Sequence, residues 1–383
     1  MTFTIRNHYV PQWYQRRFLP IGQSKLWYLD LRPDPIRRPD GTTTTRKALR
    51  HLGPVNCFLQ DHLYTLCFGP YETDVLEKSF FGKVDTTGEK AVTFFSDYGM
   101  REGVHEAFNG MINYLSAQLF RTPKGLRMLQ ALAKSEDHQQ TLKTLSIAGQ
   151  VYHTIWIESV WAVKHCKDSP TKLIISDSPV TTYNRQVYPS SDEIRSFGMA
   201  HIERIGTQTL FPLDSDHCLI ITNLQYVRNP KGNALNIREN PRYYAPAHFD
   251  LRKVQRGHAL EEQEVVAINY ILKTHANRYI ASTNQEWLYP EKALTERKWP
   301  KLGGSRFALQ ADPRLVSFTT AIISGGDKGS WGYNEYGHFD LDGPRAKKLR
   351  EVEWKTFQAA KQAWDERDRL AGREPSKEWL DYI

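Results

Sequence analysis

Apolar positions recur at three and four residues over 104–120, where Phe108, Met111, Ile112, Leu115 and Leu119 form one stripe, which predicts an amphipathic helix. Thr122-Pro123 then breaks and restarts a helix through Leu126 and Leu129, with Thr122 as cap and Pro123 in the first turn. A helix is also predicted after Pro11 (Trp13, Tyr14, Phe18), another from Tyr71 (Glu72, Val75, Leu76, Phe80, Val84), and another over Glu261–Ala281 (Val265, Ile268, Ile271, Leu272, Ile280). Residues 145–162 read as helical or partly extended around Trp156 and Trp161.

Short apolar runs bounded by turn residues predict strands at 25–31, 63–68 and 171–176, and a strand, turn and strand over 209–222 with Asp214-Ser215-Asp216-His217 at the turn. The polar stretch Ile36–Arg46, with four consecutive threonines, reads as a loop, as does 228–246. Beyond about Gln285 the pattern changes to a Gly-rich stretch, Ser324–Gly329, and a charged amphipathic helix from Arg345 to Arg373. The chain is therefore expected to be α+β: a mainly helical body around a small mixed or antiparallel sheet. Residues 1–285 would form the core domain, with a sub-boundary near 135–140, and 286–383 a C-terminal helical extension.

Length and composition add limits. With 383 residues, 40% of them hydrophobic, the chain has enough apolar material for two or three cores at roughly 150 residues per domain, without disulfide or metal staples. No apolar run approaches the ~20 residues of a membrane span, and Met1–Arg6 lacks the apolar region of a secretory signal. A cytoplasmic protein is expected. Cys57, Cys67, Cys166 and Cys218 contain no CxxC pair, so buried reduced thiols are expected.

The net charge of +8 is uneven: residues 1–60 carry +7 and residues 61–120 carry −5. The first segment interleaves Tyr9, Trp13, Tyr14, Phe18, Trp27 and Tyr28 with Arg6, Arg16, Arg17 and Lys25, a mixture suited to stacking bases and contacting phosphates. The competing reading pairs this basic segment with the acidic one inside the molecule, and adjacency favours it slightly. Arg16, Arg17, Arg37, Arg38, Arg46 and Lys47 are the candidate nucleic-acid contacts.

Several pieces together resemble a bacterial family catalogued as "domain of unknown function 4238": His8-Tyr9-Val10-Pro11 with Tyr14 and Arg17-Phe18, Glu72, Gln118-Leu119-Phe120-Arg121-Thr122-Pro123, Ser176-Asp177-Ser178-Pro179-Val180, Phe211-Pro212-Leu213, and the late helix with Asn269. The likeness covers roughly 5–285, and Ser178 stands where the family pattern has Asn. It implies a shared fold and a shared polar site, with a loose association to bacterial defence or mobile-element cassettes.

Each of these segments sets a polar group into an apolar element, and such groups need partners when buried. As an active site, His8 and Asp177 would serve as base and orienter or as metal ligands, Glu72 as a second carboxylate, Gln118 as a polar group on the margin of the buried stripe, and Arg121 as a clamp on a phosphate. That set, with a divalent metal, points to a nucleic-acid-directed hydrolase of nuclease or phosphodiesterase type. The alternative is a non-catalytic, partner-binding or sensing protein in which Asp177-Ser178-Pro179 is a turn and Glu72–Arg121 a structural bridge. His338-Phe339-Asp340-Leu341-Asp342 and Ser324–Gly329 are weaker signals; His153 and His217 read as a helix and a turn residue. No GxSxG or HExxH motif is present.

Overall fold

The computed structural model describes residues 6–63, 66–68, 71–73, 81–97, 103–134, 137, 148–149, 151–238, 254–304, 307, 309–311, 321–324, 330–333, 366 and 369–370, with the backbone path alone at 66–68, 71–73, 321–324 and 330–333. The His338–Asp342 and Gly325–Gly329 segments, and most of the expected C-terminal helix, lie outside these residues.

The chain is α+β, with several small sheets. Along it run β1 (Arg6–His8), α1 (Gln12–Arg16), β2 (Leu26–Asp30), β3 (Pro35–Arg37), β4 (Thr43–Thr45), β5 (Leu49–Leu52), β6 (Leu59–Asp61), β7 (Leu66–Phe68), β8 (Tyr71–Thr73), α2 (Gly82–Ser96), α3 (Val104–Phe120) and α4 (Pro123–Ala133). After these come β9 (Ser159–His165), β10 (Ile175–Ser176), β11 (Thr181–Tyr183), β12 (Gln208–Pro212), β13 (His217–Asn223), β14 (Gln255–Ala259), a helix over Glu262–His275, and β15 (Tyr279–Ser282).

Five strands in the order β11-β12-β13-β9-β14 make one sheet, antiparallel except for β14 against β9. Strands β12 and β13 are buried along almost their whole length, which explains why Thr209–Leu213 and Cys218–Thr222 read as unbroken runs rather than alternations: both sheet faces are covered. One cover is α2 with α3, whose Phe95 and Phe108 rest on Trp161 of β9 at ring-centroid distances of 5.7 and 4.8 Å. The second sheet, β10-β15-β2-β5, is antiparallel throughout. Two sheets thus stand where the sequence pattern suggests one.

The expected stripe of α3 is buried as read, and Gly110, Tyr114 and Gln118 are buried with it, so the helix is sealed on more than one side. Thr122 caps α4, its hydroxyl accepting the Gly125 amide at 3.0 Å. Three expectations change. Of the helix expected from Tyr71, Gly82–Ser96 is helical, 74–80 lie outside the described residues, and Tyr71–Thr73 is a strand paired with β7, as the Gly69-Pro70 turn signal before an aromatic and β-branched triplet allows. The helix expected through Ala281 stops at His275, and Tyr279–Ser282 pairs with β2. The stretch read as a loop over Ile36–Arg46 is a hairpin of β3 and β4, in which the threonine run supplies β-branched residues.

Cys57, Cys166 and Cys218 are buried free thiols, and burial pushes Cys57 and Cys166 up to about 12. Among the described residues no helix is long and apolar enough to cross a membrane.

Gly125 sits in the first turn of α4 where a Cβ would fall 2.1 Å from the Leu119 carbonyl oxygen. Gly125→Ala should therefore displace α4 from the end of α3 and lower the urea midpoint, by an amount corresponding to roughly 1–3 kcal/mol. A midpoint equal to that of the parent chain would show that the junction is slack.

Candidate functional site

The candidate residues fall into two buried networks, and each ends on main chain. In the first, α1 is tied to the strand end at Pro212-Leu213. Tyr14 stacks on Phe211 (5.4 Å, 12° between planes) and donates its hydroxyl to the Pro212 carbonyl at 2.5 Å. Arg17 donates to the Leu213 carbonyl (2.8 Å), Thr93 (3.0 Å) and Ser96 (2.7 Å), and pairs with Asp214 at 3.3 Å. Arg17 is thus engaged inside the molecule. It meets the 61–120 segment through hydroxyls, while its described ion pair goes to the β12–β13 turn. Tyr9, Tyr14, Phe18 and Tyr28 are core residues, which removes them as stacking surfaces for bases.

Gln118 belongs to the same network. It is fully buried, and its Nε2 donates to the Tyr9 carbonyl at 2.9 Å. Its Oε1 accepts from Tyr114 at 3.3 Å and from the guanidinium of Arg121, whose Nε lies at 2.8 Å. Arg121, 1% exposed, pairs with Asp85 at 2.7 Å and lies over the rings of Phe81 and Tyr114. Asp85 lies within the expected helix and carried no signal that marked it as the partner of Arg121. Next to Tyr9, the half-buried His8 donates to the Val55 carbonyl at 3.2 Å, and burial lowers its pKa. Glu72 lies in β8 rather than at a helix start, and its side chain lies outside the described residues.

The second network is built on Asp177, 1% exposed at the exit of β10. Its carboxylate accepts three successive main-chain amides: Asn277 at 2.7 Å, Arg278 at 2.6 Å and Tyr279 at 2.8 Å. Burial pushes the carboxyl up; the three amides and the Lys124 ammonium pull it down. Lys124 donates to the His275 carbonyl at 2.5 Å, and burial brings it down to about 8 while Asp177 opposes that shift. Asn269, also fully buried, accepts the Ile174 amide (3.1 Å) and donates to the Lys172 carbonyl (2.8 Å), which sets the path of the chain into β10.

The turn that Asp177 holds carries Arg278 outward. Its guanidinium takes Asp30 in a two-point contact, 2.9 Å on each oxygen, and also Asp34 at 2.7 Å, holding the Asp34 carboxyl below its ordinary value. Asp30 and Asp34 mark the base of the β3–β4 hairpin, which continues the β2–β5 pair outward: the Asp30 amide donates to the Ala48 carbonyl (2.9 Å) and the Arg46 amide to the Asp34 carbonyl (2.9 Å). The sequence pattern hid Arg278 inside an expected helix, and Asp30 carried no signal beyond closing a strand.

Beyond its base the hairpin has no core face; β3 and β4 are exposed except for a half-buried Thr44. Arg37, Arg38, Arg46 and Lys47 are exposed here; among the described residues none of their side chains makes a hydrogen bond or close ion pair, and Arg46 acts on Asp34 only through its charge. The acid at the tip, Asp40, accepts the Thr42 amide at 2.9 Å and its hydroxyl at 2.6 Å. Arg16, the remaining candidate contact, is exposed on α1 and donates to Gln12 at 3.1 Å. Among the described residues no group of three or more His, Cys, Asp or Glu is arranged to hold a metal ion.

Two measurements follow from this geometry. Asp177→Asn leaves one carbonyl oxygen where three amides need acceptors, and should lower stability by roughly 2–4 kcal/mol in urea unfolding; a loss under about 0.5 kcal/mol, the range of an ordinary surface change, would contradict the stapling role. Burial also pushes His275 down to about 3 and His153 down to about 4, from an ordinary 6.5. Both rings are neutral when folded and take protons on unfolding, so their contribution is complete above about pH 6.5 and is lost as the pH falls towards 4. His275→Gln should flatten the decline of stability between pH 6.5 and 4; an unchanged slope would remove His275 from the account.

No protein-family model matches the chain, and no curated protein or solved structure shows detectable similarity to it.

Proposed function

We propose that the protein binds nucleic acid through the cationic β3–β4 hairpin, and that the polar residues gathered around Asp177 and Gln118 hold the fold and the hairpin base rather than perform hydrolysis. The observation that carries this reading is the set of four exposed cations, Arg37, Arg38, Arg46 and Lys47, whose side chains hydrogen-bond to nothing among the described residues, on a hairpin that has no core face. A hairpin of this kind gains little from its own packing, and unpaired guanidinium and ammonium groups are suited to phosphate oxygens. Arg278 adds to the effect by neutralising Asp30 and Asp34, the acids nearest the hairpin base.

Of the two functions weighed from the sequence, this is the partner-binding one. The hydrolase reading requires Asp177 and Arg121 to face substrate, whereas the first is occupied by three amides and the second is buried against Gln118 and Asp85. Membership of the family named by the His8-Tyr9-Val10-Pro11 motif, a cytoplasmic setting and a role in bacterial defence remain parts of the same proposal, resting on sequence alone.

Fluorescence anisotropy with labelled oligonucleotides tests it. Reversing all four charges (Arg37→Glu, Arg38→Glu, Arg46→Glu, Lys47→Glu) should weaken binding by on the order of 100-fold or more at low salt, with the thermal midpoint nearly unchanged because the side chains are exposed. Equal affinity for the parent and the reversed chain would overturn the proposal, as would specific hydrolysis of the oligonucleotide lost in Asp177→Asn that remains folded.

A further inference from the structure

The hairpin also indicates which form of nucleic acid it fits, an inference that rests on the binding reading above. Proteins that hold single strands do so by stacking bases on aromatic side chains. Residues 32–47 contain no aromatic side chain, and the nearby Tyr28 is 3% exposed, within the core. Trp27 is stacked on His51 at 4.7 Å. The hairpin therefore lacks the platform a single strand needs.

What it has suits a duplex. Two paired strands form a ribbon of the width that the major groove of B-DNA admits. From Pro35 to Arg38, where the chain turns, the ribbon extends roughly 10 Å at about 3.3 Å per residue, enough to reach the ~8.5 Å depth of that groove. In register, Arg37 faces Thr43 and Pro35 faces Thr45, so one face of the ribbon presents Arg37, Thr43 and Thr45, a guanidinium with two hydroxyls beside it. Arg38 lies at the tip, while Arg46 and Lys47 lie at the base, nearer the sheet. The tip turn is closed by the Arg38 amide donating to the Thr42 carbonyl (2.7 Å), and Gly41 in it has φ +83°, a conformation that favours glycine. Arg278 fixes the base of the ribbon from the second sheet.

We propose that the β3–β4 ribbon is an arm for double-stranded DNA, entering the major groove with Arg37 and the threonine hydroxyls towards base edges and Arg38, Arg46 and Lys47 towards phosphates. Binding is sensitive to salt through the displaced counterions, and the three phosphate-facing cations give a log–log slope of about −3.

The experiment measures anisotropy for a 20-base-pair DNA duplex, the corresponding single strand and an RNA duplex of the same sequence, across a salt series, with the full chain and with Arg37→Gln and Lys47→Gln singly. The expected result is a duplex DNA affinity about tenfold or more above that for the single strand or the RNA duplex, whose major groove is too narrow to enter. Lys47→Gln should reduce the slope by about one, whereas Arg37→Gln should weaken duplex binding about tenfold with the slope nearly unchanged. Single-strand affinity equal to or above that for duplex DNA, still reduced by the substitutions, overturns the duplex arm and leaves nucleic-acid binding standing. Binding to RNA and DNA duplexes alike overturns groove entry in the same way. Absence of binding to all three, or binding only to phosphatidylserine vesicles used as an anionic control, overturns both readings. The melting temperature of each variant, expected to equal that of the parent, separates lost contact from lost fold.

Discussion

Three consecutive amides converging on one buried carboxylate form the constraint from which the second sheet and its hairpin are organised. Asp177 cannot be placed inside the protein without partners for its two oxygens, and the amides of Asn277, Arg278 and Tyr279 supply them only if the chain turns there. That turn ends the Glu262–His275 helix, starts β15, and sends the Arg278 side chain across to Asp30 and Asp34. The carboxylate thus fixes, at one remove, where a hairpin leaves the sheet.

The same arrangement recurs elsewhere in the core. Tyr14, Arg17, Gln118 and Asn269 each direct a polar side chain to backbone groups far away in sequence, at Pro212, Leu213, Tyr9 and Lys172–Ile174. Buried backbone groups at strand ends and irregular turns have no ladder partner and require one; these side chains are that supply. Apolar packing brings the elements together without setting their register to each other, and directional bonds from a few buried polar residues set it. A cluster of this kind shares its residue types with an active site, which is why both readings arise from the sequence.

Helix α3, the Thr122 cap and the β12–β13 hairpin were legible because their signals are local: a stripe, a cap with proline after it, a turn of two aspartates between apolar runs. The hairpin over 35–45 was not, since its threonines are polar in composition and strand-forming in shape, and composition weighed more. The end of the helix at His275 was hidden because Ile280 and Ala281 satisfy a helical period as readily as a buried strand; Asp177, a hundred residues earlier, decides between them. Within the candidate site, Asp177, Gln118 and Arg121 could be picked out as polar groups in apolar settings. Their partners could not: main-chain amides leave no mark on a sequence, Asp85 is one acid among several on the helix expected from Tyr71, and Arg278 lies where an expected helix has already ended.

Hydrogen exchange, comparing the parent chain with Asp177→Asn, tests the central claim most directly, because it reads the turn and the hairpin separately. The account predicts faster exchange at residues 277–279 and also across 30–48, where Arg278 ceases to be held over Asp30 and Asp34, with β12 and β13 as protected as before. Loss of protection confined to 277–279, with 30–48 unchanged, would contradict it and leave the hairpin independent of the buried carboxylate.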